Sequence, residues 1–415
     1  MKKLLAAFFA LSLFSVFAEL HPARRYFEIG TTVNIEAAEN IMPVADIFKK
    51  NLVIDLKKIY SDMGDDGATV SLSAKENFFI NFNFKKFGIG LDVGSQASVS
   101  ANISKDLFKV LDGLVPGAVY NGEASVWAES FATFSVPVRF NVDKWKVKIT
   151  PTYFVPCFYL PSTTVRGWAT HGLDGSITAV ATAPLEFYTI SEFKGLIVDG
   201  EFSLDFIDNI DANSLLSDVL KSGGVDIGAE IEYPILEKLD LGGYFSSPIV
   251  PGHLRHKVTA VATASIKSNS IMQMAFDEES PDTYYDFGDP TYSDCDFTVN
   301  RPLRFGVECA WRPFGKWLTL RGKAGAALRN PFGEDVTIKS FYPEYRLGVD
   351  LSLFGMLGLN LSTEYSKKIF AHGVGIMLNF RAVELDVLAA ICSPNFVKSF
   401  KGEGARVGVG IKFGW

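Results

Sequence analysis

Basic side chains recur at one parity through the second half of this 415-residue chain. Arg304, Arg312, Arg321, Lys323, Arg329 and Arg346 sit between apolar or small neighbours, and Arg139, Lys146 and Lys148 repeat the habit upstream. Glu308, Asp350, Glu384 and Asp386 share the same parity. Successive side chains of a strand point to opposite faces, so one face carries these charges and the other the apolar residues. Charges that line a water-filled interior set which solutes enter it. A basic wall from Arg304 to Arg346, opposed by the acids 384 and 386, would lay a transverse field across that interior. Paired across strands, the same charges would instead seal the interior and contribute only stability.

Other residues capable of chemistry give less. The histidines are His21, His171, His253, His256 and His372, and the close pair His253 and His256 lacks an HExxH setting or a third ligand. No G-x-S-x-G elbow or phosphate-binding glycine loop occurs. Cys157, Cys295, Cys309 and Cys392 show no CxxC spacing. The sequence therefore predicts neither an enzyme nor a metal or cofactor site. An acidic stretch over 277–298, with Tyr284, Tyr285 and Tyr292, contains no Lys or Arg between Asp277 and Asp296. Its oxygens suit a hard cation such as Ca²⁺, but the spacing matches no EF-hand, and a solvated outer loop is expected. Exposed tyrosines there offer a contact surface for a host partner.

The elements that must carry this pattern are strands. Leu303 to Trp311, Leu318 to Leu328, Tyr345 to Leu353, Leu359 to Tyr365, Val374 to Phe380 and Val383 to Ile391 each alternate apolar with polar or small residues. The same alternation marks 78–84, 87–99, 134–142, 145–149, 225–233 and 239–245. Segments of about ten residues, each half apolar, suit tilted strands crossing a membrane. With 48% hydrophobic residues, 36 Gly and 35 Phe, composition favours amphipathic strands over helices. The reading is an all-β, transmembrane antiparallel barrel of about sixteen strands, range 14–18. Short amphipathic helices are expected at 43–63, 104–114 and 214–221. Turns at 313–316, 354–356 and 381–382 are short, and connections at 277–298, 330–342 and 393–402 are long, with 367–369 the exception, the asymmetry of periplasmic and extracellular ends.

Residues 1–18 read as an export signal: Lys2 and Lys3, an apolar run from Leu4 to Phe17, and small Ala18 before the cut, leaving 19–415 as the barrel. The formal charge of −7 offers no basic stripe for nucleic acid. The final strand ends Gly410, Ile411, Lys412, Phe413, Gly414, Trp415. Gly410, Phe413 and Trp415 resemble the C-terminal signal read by the barrel-assembly machinery. The chain resembles outer-membrane barrels of the porin or fatty-acid-transporter type and is similar to uncharacterised barrels of spirochaete-like outer membranes. That resemblance implies a bacterial outer-membrane location, lipid and assembly-machinery partners and, as in porins, a capacity to oligomerise. The charged inner parity points to passage of small solutes. A surface-exposed adhesive barrel acting through its loops, and a secreted soluble pair of β-sandwiches, stand as alternatives.

Overall fold

The computed structural model describes residues 25–41, 60–61, 63–64, 67–109, 115, 117–173, 176–191, 197–198, 201–202, 212–268, 282–329, 331 and 340–415. The expected export signal and nearly all of 43–63 lie outside them.

Antiparallel pairing runs in a complete circuit. It begins with β1 (Phe27–Glu39), β2 (Ala68–Asn83) and β3 (Phe87–Ile103), each on its neighbour. One position is then shared by β4 (Val119–Ser135) and β5 (Val138–Val142), both between β3 and β6 (Trp145–His171). The break between them falls at Val136 and Pro137, where proline lacks the N–H a central ladder needs. The next position is also shared. β7 (Ile177–Thr189) pairs with the outer part of β6, and β10 (Gly224–Leu236) pairs with its inner part. Between them the chain leaves the wall through β8 (Ile197–Val198), β9 (Glu201–Phe202) and helix α1 (Ala212–Ser222). It re-enters at Gly223, where a Cβ would sit 1.8 Å from the Tyr153 ring, so only glycine fits.

The circuit continues through β11 (Leu239–Val250), β15 (Leu303–Trp311), β16 (Leu318–Leu328), β17 (Phe341–Leu353), β18 (Leu357–Ser366), β19 (Ile369–Asn379), β20 (Val383–Ser393) and β21 (Ala405–Gly414). β21 then pairs with β1 from Glu28↔Gly414 to Ala37↔Ala405 and closes the barrel. The closed wall has fourteen positions, an even number at the lower end of the expected range. Two positions are each built from two separate stretches of chain, which inflates a count made from alternation alone.

Solubility logic is inverted around this wall. Phe78, Phe82, Phe305, Val307, Leu347, Leu361, Val374, Ile376, Val407 and Phe413 are exposed, at every other position on successive strands. Glu384 and Asp386, by contrast, are 0% and 1% exposed. Aqueous proteins rarely show contiguous apolar surface on this scale, whereas a barrel in hydrocarbon requires it. The architecture is that of an outer-membrane β-barrel.

The wall is lopsided. β18 has 10 residues, about what a membrane crossing needs. β6 has 27, about 90 Å along its own path. Above the crossing, with the end holding Trp415 taken as the lower end, β6 and β7 are joined by β12 (Gly252–Ser268), β13 (Asp282–Asp286) and β14 (Thr291–Val299) in a projecting sheet. The acidic stretch expected to be a loop therefore contains two strands. Thr291, Tyr292, Phe297, Thr298 and Val299 favour a pleated surface, and the free edge of β12 supplies their partners. Helix α1 takes in 214–221. Of 104–114, Lys105–Phe108 forms a 3₁₀ turn, and residues 110–114 lie outside the described set. A short helix α2 (Phe396–Ser399) follows β20, with Asn395 accepting hydrogen bonds from the Val397 and Lys398 amides.

Tight packing on the inner wall makes one fold prediction sharp. A Cβ at Gly325 would lie 2.2 Å from the Tyr244 hydroxyl and 2.3 Å from the Phe305 carbonyl. Gly325→Ala should lower stability by about 1–3 kcal/mol, read as an earlier urea midpoint of the folded, heat-modifiable species. Gly228→Ala meets no atom closer than 3.5 Å, and it should move that midpoint by less than about 0.5 kcal/mol. Equal midpoints would mean that Tyr244 does not lie along that glycine.

Candidate functional site

Inner-parity side chains build the lumen in layers. At the lower end, β20 contributes Glu384 and Asp386, and β21 contributes Lys412, whose Nζ lies 2.6 Å from Glu384 and 2.9 Å from Asp386. Arg25, just before β1, turns inward to Asn379 at 3.0 Å and Glu384 at 3.6 Å. Across the barrel, Arg312 pairs with Asp240 at 2.7 Å and Lys148 with Glu230 at 2.9 Å, while Lys146 pairs with Glu232. Arg139 donates to Asn81 at 3.1 Å. A cavity of about 330 Å³ opens among Glu28, Arg139, Lys148, Glu230, Glu232 and Glu308, residues from both sides of the lumen.

Higher up, Arg321 pairs with Asp350, whose other oxygen accepts from Asn360 at 2.5 Å. Arg406 bridges Glu36 of β1 and Glu364 of β18, the latter at 2.6 Å. Arg304 lies 3.8 Å from Glu344, and Arg301 lies 2.7 Å from Asp226. Glu308 and Lys323 are register partners, and the Lys323 ammonium sits 3.9 Å from the Tyr244 ring centroid.

Among the described residues, two side chains reach across the lumen itself. Arg329, beyond the top of β16, reaches Glu129 of β4 at 3.4 Å and stacks 3.8 Å from the Trp127 ring centroid. Lys367, in the two-residue turn between β18 and β19, donates to Ser98 of β3 at 3.3 Å. Lys367 and Lys368 both have positive φ, 50° and 66°, which is the turn that matches strand twist in a hairpin this short. Burial holds the Lys367 ammonium below the usual lysine range, against the opposing pull of Glu129.

All the candidate lumen residues named from the sequence sit on the inner parity. Arg304, Arg312, Arg321, Lys323, Arg329 and Arg346 come from β15, β16, β17 and their immediate ends. Each has a carboxylate beside it: Glu344, Asp240, Asp350, Glu308, Glu129 and, within electrostatic range, Glu364. Charge is thus interleaved around the lumen, not divided into a basic and an acidic wall. Glu36, Glu129, Asp226, Asp240, Glu344 and Lys367 escaped the sequence reading because register and turn position, not parity, bring them to their partners. Asp240 stands opposite Ala310, two residues from Arg312 on the same face.

Gly410, Phe413 and Trp415 lie on the closing strand or at its end. Phe413 is opposite Ile29, and the Trp415 ring is 4.7 Å from that of Phe27. The histidine pair is engaged by carboxylates, His253 with Asp296 at 2.7 Å and His256 with Asp294 at 3.4 Å. Among the described residues no group of three His, Cys, Asp or Glu is arranged for a metal ion, and the four cysteines are free.

No protein-family model and no curated protein sequence matches this chain. Among solved structures, the P. putida toluene transporter TodX is similar over 95% of this chain and 91% of its own, at 7% identity and TM-score 0.46. The translocator domain of autotransporter NalP from Neisseria meningitidis is similar over 96% of this chain and 91% of its own, at 9% identity and TM-score 0.32. Omp33 of Acinetobacter baumannii covers 94% of this chain with 100% of its own, at 8% identity and TM-score 0.30. Likeness at this level is no basis for function, and the fold rests on the strand pairing itself.

The ion pairs make a stability prediction. Lys412→Met would leave Glu384 and Asp386 beside each other without their common cation, a loss of about 3–5 kcal/mol for a buried pair. Adding Glu384→Gln and Asp386→Asn should recover most of it in urea titrations of the folded barrel. No recovery in the triple variant would show that Lys412 acts by packing and not by charge.

Proposed function

We propose that this chain is a passive channel of the bacterial outer membrane, admitting small solutes through its charged lumen. One observation carries the reading: a closed wall that is apolar outside and charged, with a cavity, inside. Water and lipid must occupy opposite faces of such a wall. On this reading Gly410, Phe413 and Trp415 present the closing strand to the assembly machinery, and export precedes insertion. The protein is a conduit and not an enzyme. Arg304, Arg312, Arg321, Lys323, Arg329 and Arg346, with Glu308, Asp350, Glu384 and Asp386, set which solutes pass.

Interleaved pairs have a functional consequence. A lumen of one sign would hold counter-ions tightly, whereas alternating charges give a solute successive shallow sites from which it can leave. Purified protein in planar bilayers should show stepwise conductance. Arg329→Ala removes the strut that crosses to Glu129 and should enlarge the single-channel step. Silent bilayers containing correctly folded, heat-modifiable protein would eliminate conduction while leaving the barrel.

A second reading is favoured by the projecting sheet, whose Tyr284 and Tyr285 on β13 are exposed. On that reading the barrel anchors an adhesive surface. Because β14 is part of that sheet, removing 277–298 would dismantle the sheet itself, so Tyr284→Ser with Tyr285→Ser is the better probe. Loss of binding to host matrix with conductance intact would favour adhesion. Unchanged binding would count against it.

A further inference from the structure

We propose that the connection between β20 and β21 is a membrane anchor. Its helix α2 lies on the outside of the barrel, with Phe396, Val397 and Phe400 seated in the outer leaflet of the bilayer, at the end opposite Trp415. The inference goes beyond the channel reading and stands whether or not the lumen conducts.

A connection at this end would ordinarily stand in water, but this one folds outward and down over the wall. On β19 the inner parity holds Ala371, Gly373 and Met377, so Phe370 and His372 face out. The helix packs against those two. The Phe396 ring meets Phe370 edge-on at 5.2 Å, and the Phe400 ring stacks on His372 at 4.0 Å. Gly402 follows, where a Cβ would lie 3.3 Å from Ile391 on the lipid-facing parity of β20. The aromatic row continues along the outer wall from Phe370 to Tyr365 at 4.3 Å and on to Tyr345 at 5.8 Å.

Strand length sets the depth. β18 has 10 residues and β19 has 11, about what a membrane crossing needs, so their upper rows lie at the bilayer boundary. A segment resting on Phe370 and His372, near the start of β19, shares that depth and meets lipid. Its free side suits the position, because Phe396, Val397 and Phe400 are exposed and continue the apolar surface of the wall. Lys368 and Lys401 are exposed too, placed for their ammonium groups to reach the headgroups.

Polar contacts fasten the helix there. His372 is an imidazole on the lipid-facing parity, and both its nitrogens are engaged, Nδ1 with the Thr363 hydroxyl at 3.1 Å and Nε2 with the Ser399 hydroxyl at 2.9 Å. Without α2, Nε2 would meet hydrocarbon unpaired, which is costly. Lys398 donates to the Asn40 carbonyl at 2.7 Å and lies 3.5 Å from Glu403, tying the segment back to the end of β1.

A photoactivatable benzophenone amino acid placed at position 397 of the full-length barrel, folded into phosphatidylcholine–phosphatidylglycerol vesicles, tests the anchor. Irradiation should add the mass of one phospholipid at 397, in a yield matching position 376 on the lipid-facing wall. Position 284, exposed on the projecting sheet, should give no adduct. Heat-modifiable migration identifies the variants that fold, and position 396 carries the reagent should 397 fail. Lipid adducts at 376 but not at 397 overturn the anchor, as do equal yields at 284 and 397. Silent planar bilayers would sink conduction and leave these adducts unchanged.

Discussion

Everything in this fold depends on closing the sheet. A backbone amide or carbonyl left unpaired in hydrocarbon costs several kcal/mol, so a sheet in a membrane can have no edge at that depth. The seam between β1 and β21 meets the requirement over ten register pairs from Glu28↔Gly414 to Ala37↔Ala405. Its lower end is fastened by the Trp415 carbonyl, which accepts from the Tyr26 and Phe27 amides at 2.8 and 3.2 Å. Closure then dictates side-chain chemistry. Once outside and inside are separated, the period-two pattern must send apolar groups to lipid and polar groups inward at all fourteen positions.

Enclosure also governs the charges. Side chains on the inner face of a narrow barrel point toward one another, so a cation on one strand is answered by acids on its neighbours or across the lumen. Arg406 shows the pattern, held between Glu36, its register partner on the adjacent β1, and Glu364 on β18, three strands away on the other side. Glycine has a matching role. Gly306 and Gly325 leave room for Tyr244 to lie along the wall, where Lys323 covers its ring. A larger residue at either position would push that ring toward the axis.

What the sequence revealed was the part governed by period. Alternation from Leu303 to Trp415 identifies the strands of the shorter wall, their inner and outer faces, and the turns between them. It also places Arg304 to Arg346 inside. What it hid was governed by register and by chain returning to the same wall position. Nothing in β7 or β10 alone says that they stack end to end against β6, because each reads as a complete strand. The acidic residues around Asp286 and Asp294 suggested a solvated loop, yet β12 offered an edge and the intervening aromatic and β-branched residues took it. Lys367 was missed for a related reason. A two-residue turn usually faces solvent, but β18 and β19 end low while the opposite wall rises, so the turn tip meets Ser98 across the lumen.

That difference in wall height bears directly on how the lumen can work. In a barrel of even height, the outer turns stand above the pore and only loops can fold in to narrow it. Here the low wall ends at the level where β3 and β4 still have inward-facing side chains to offer. The turn after β18 and the end of β16 therefore reach Ser98 and Glu129 without any long loop. A constriction built from hairpin ends and strand walls is held on both sides by paired backbone, so its charges keep their spacing.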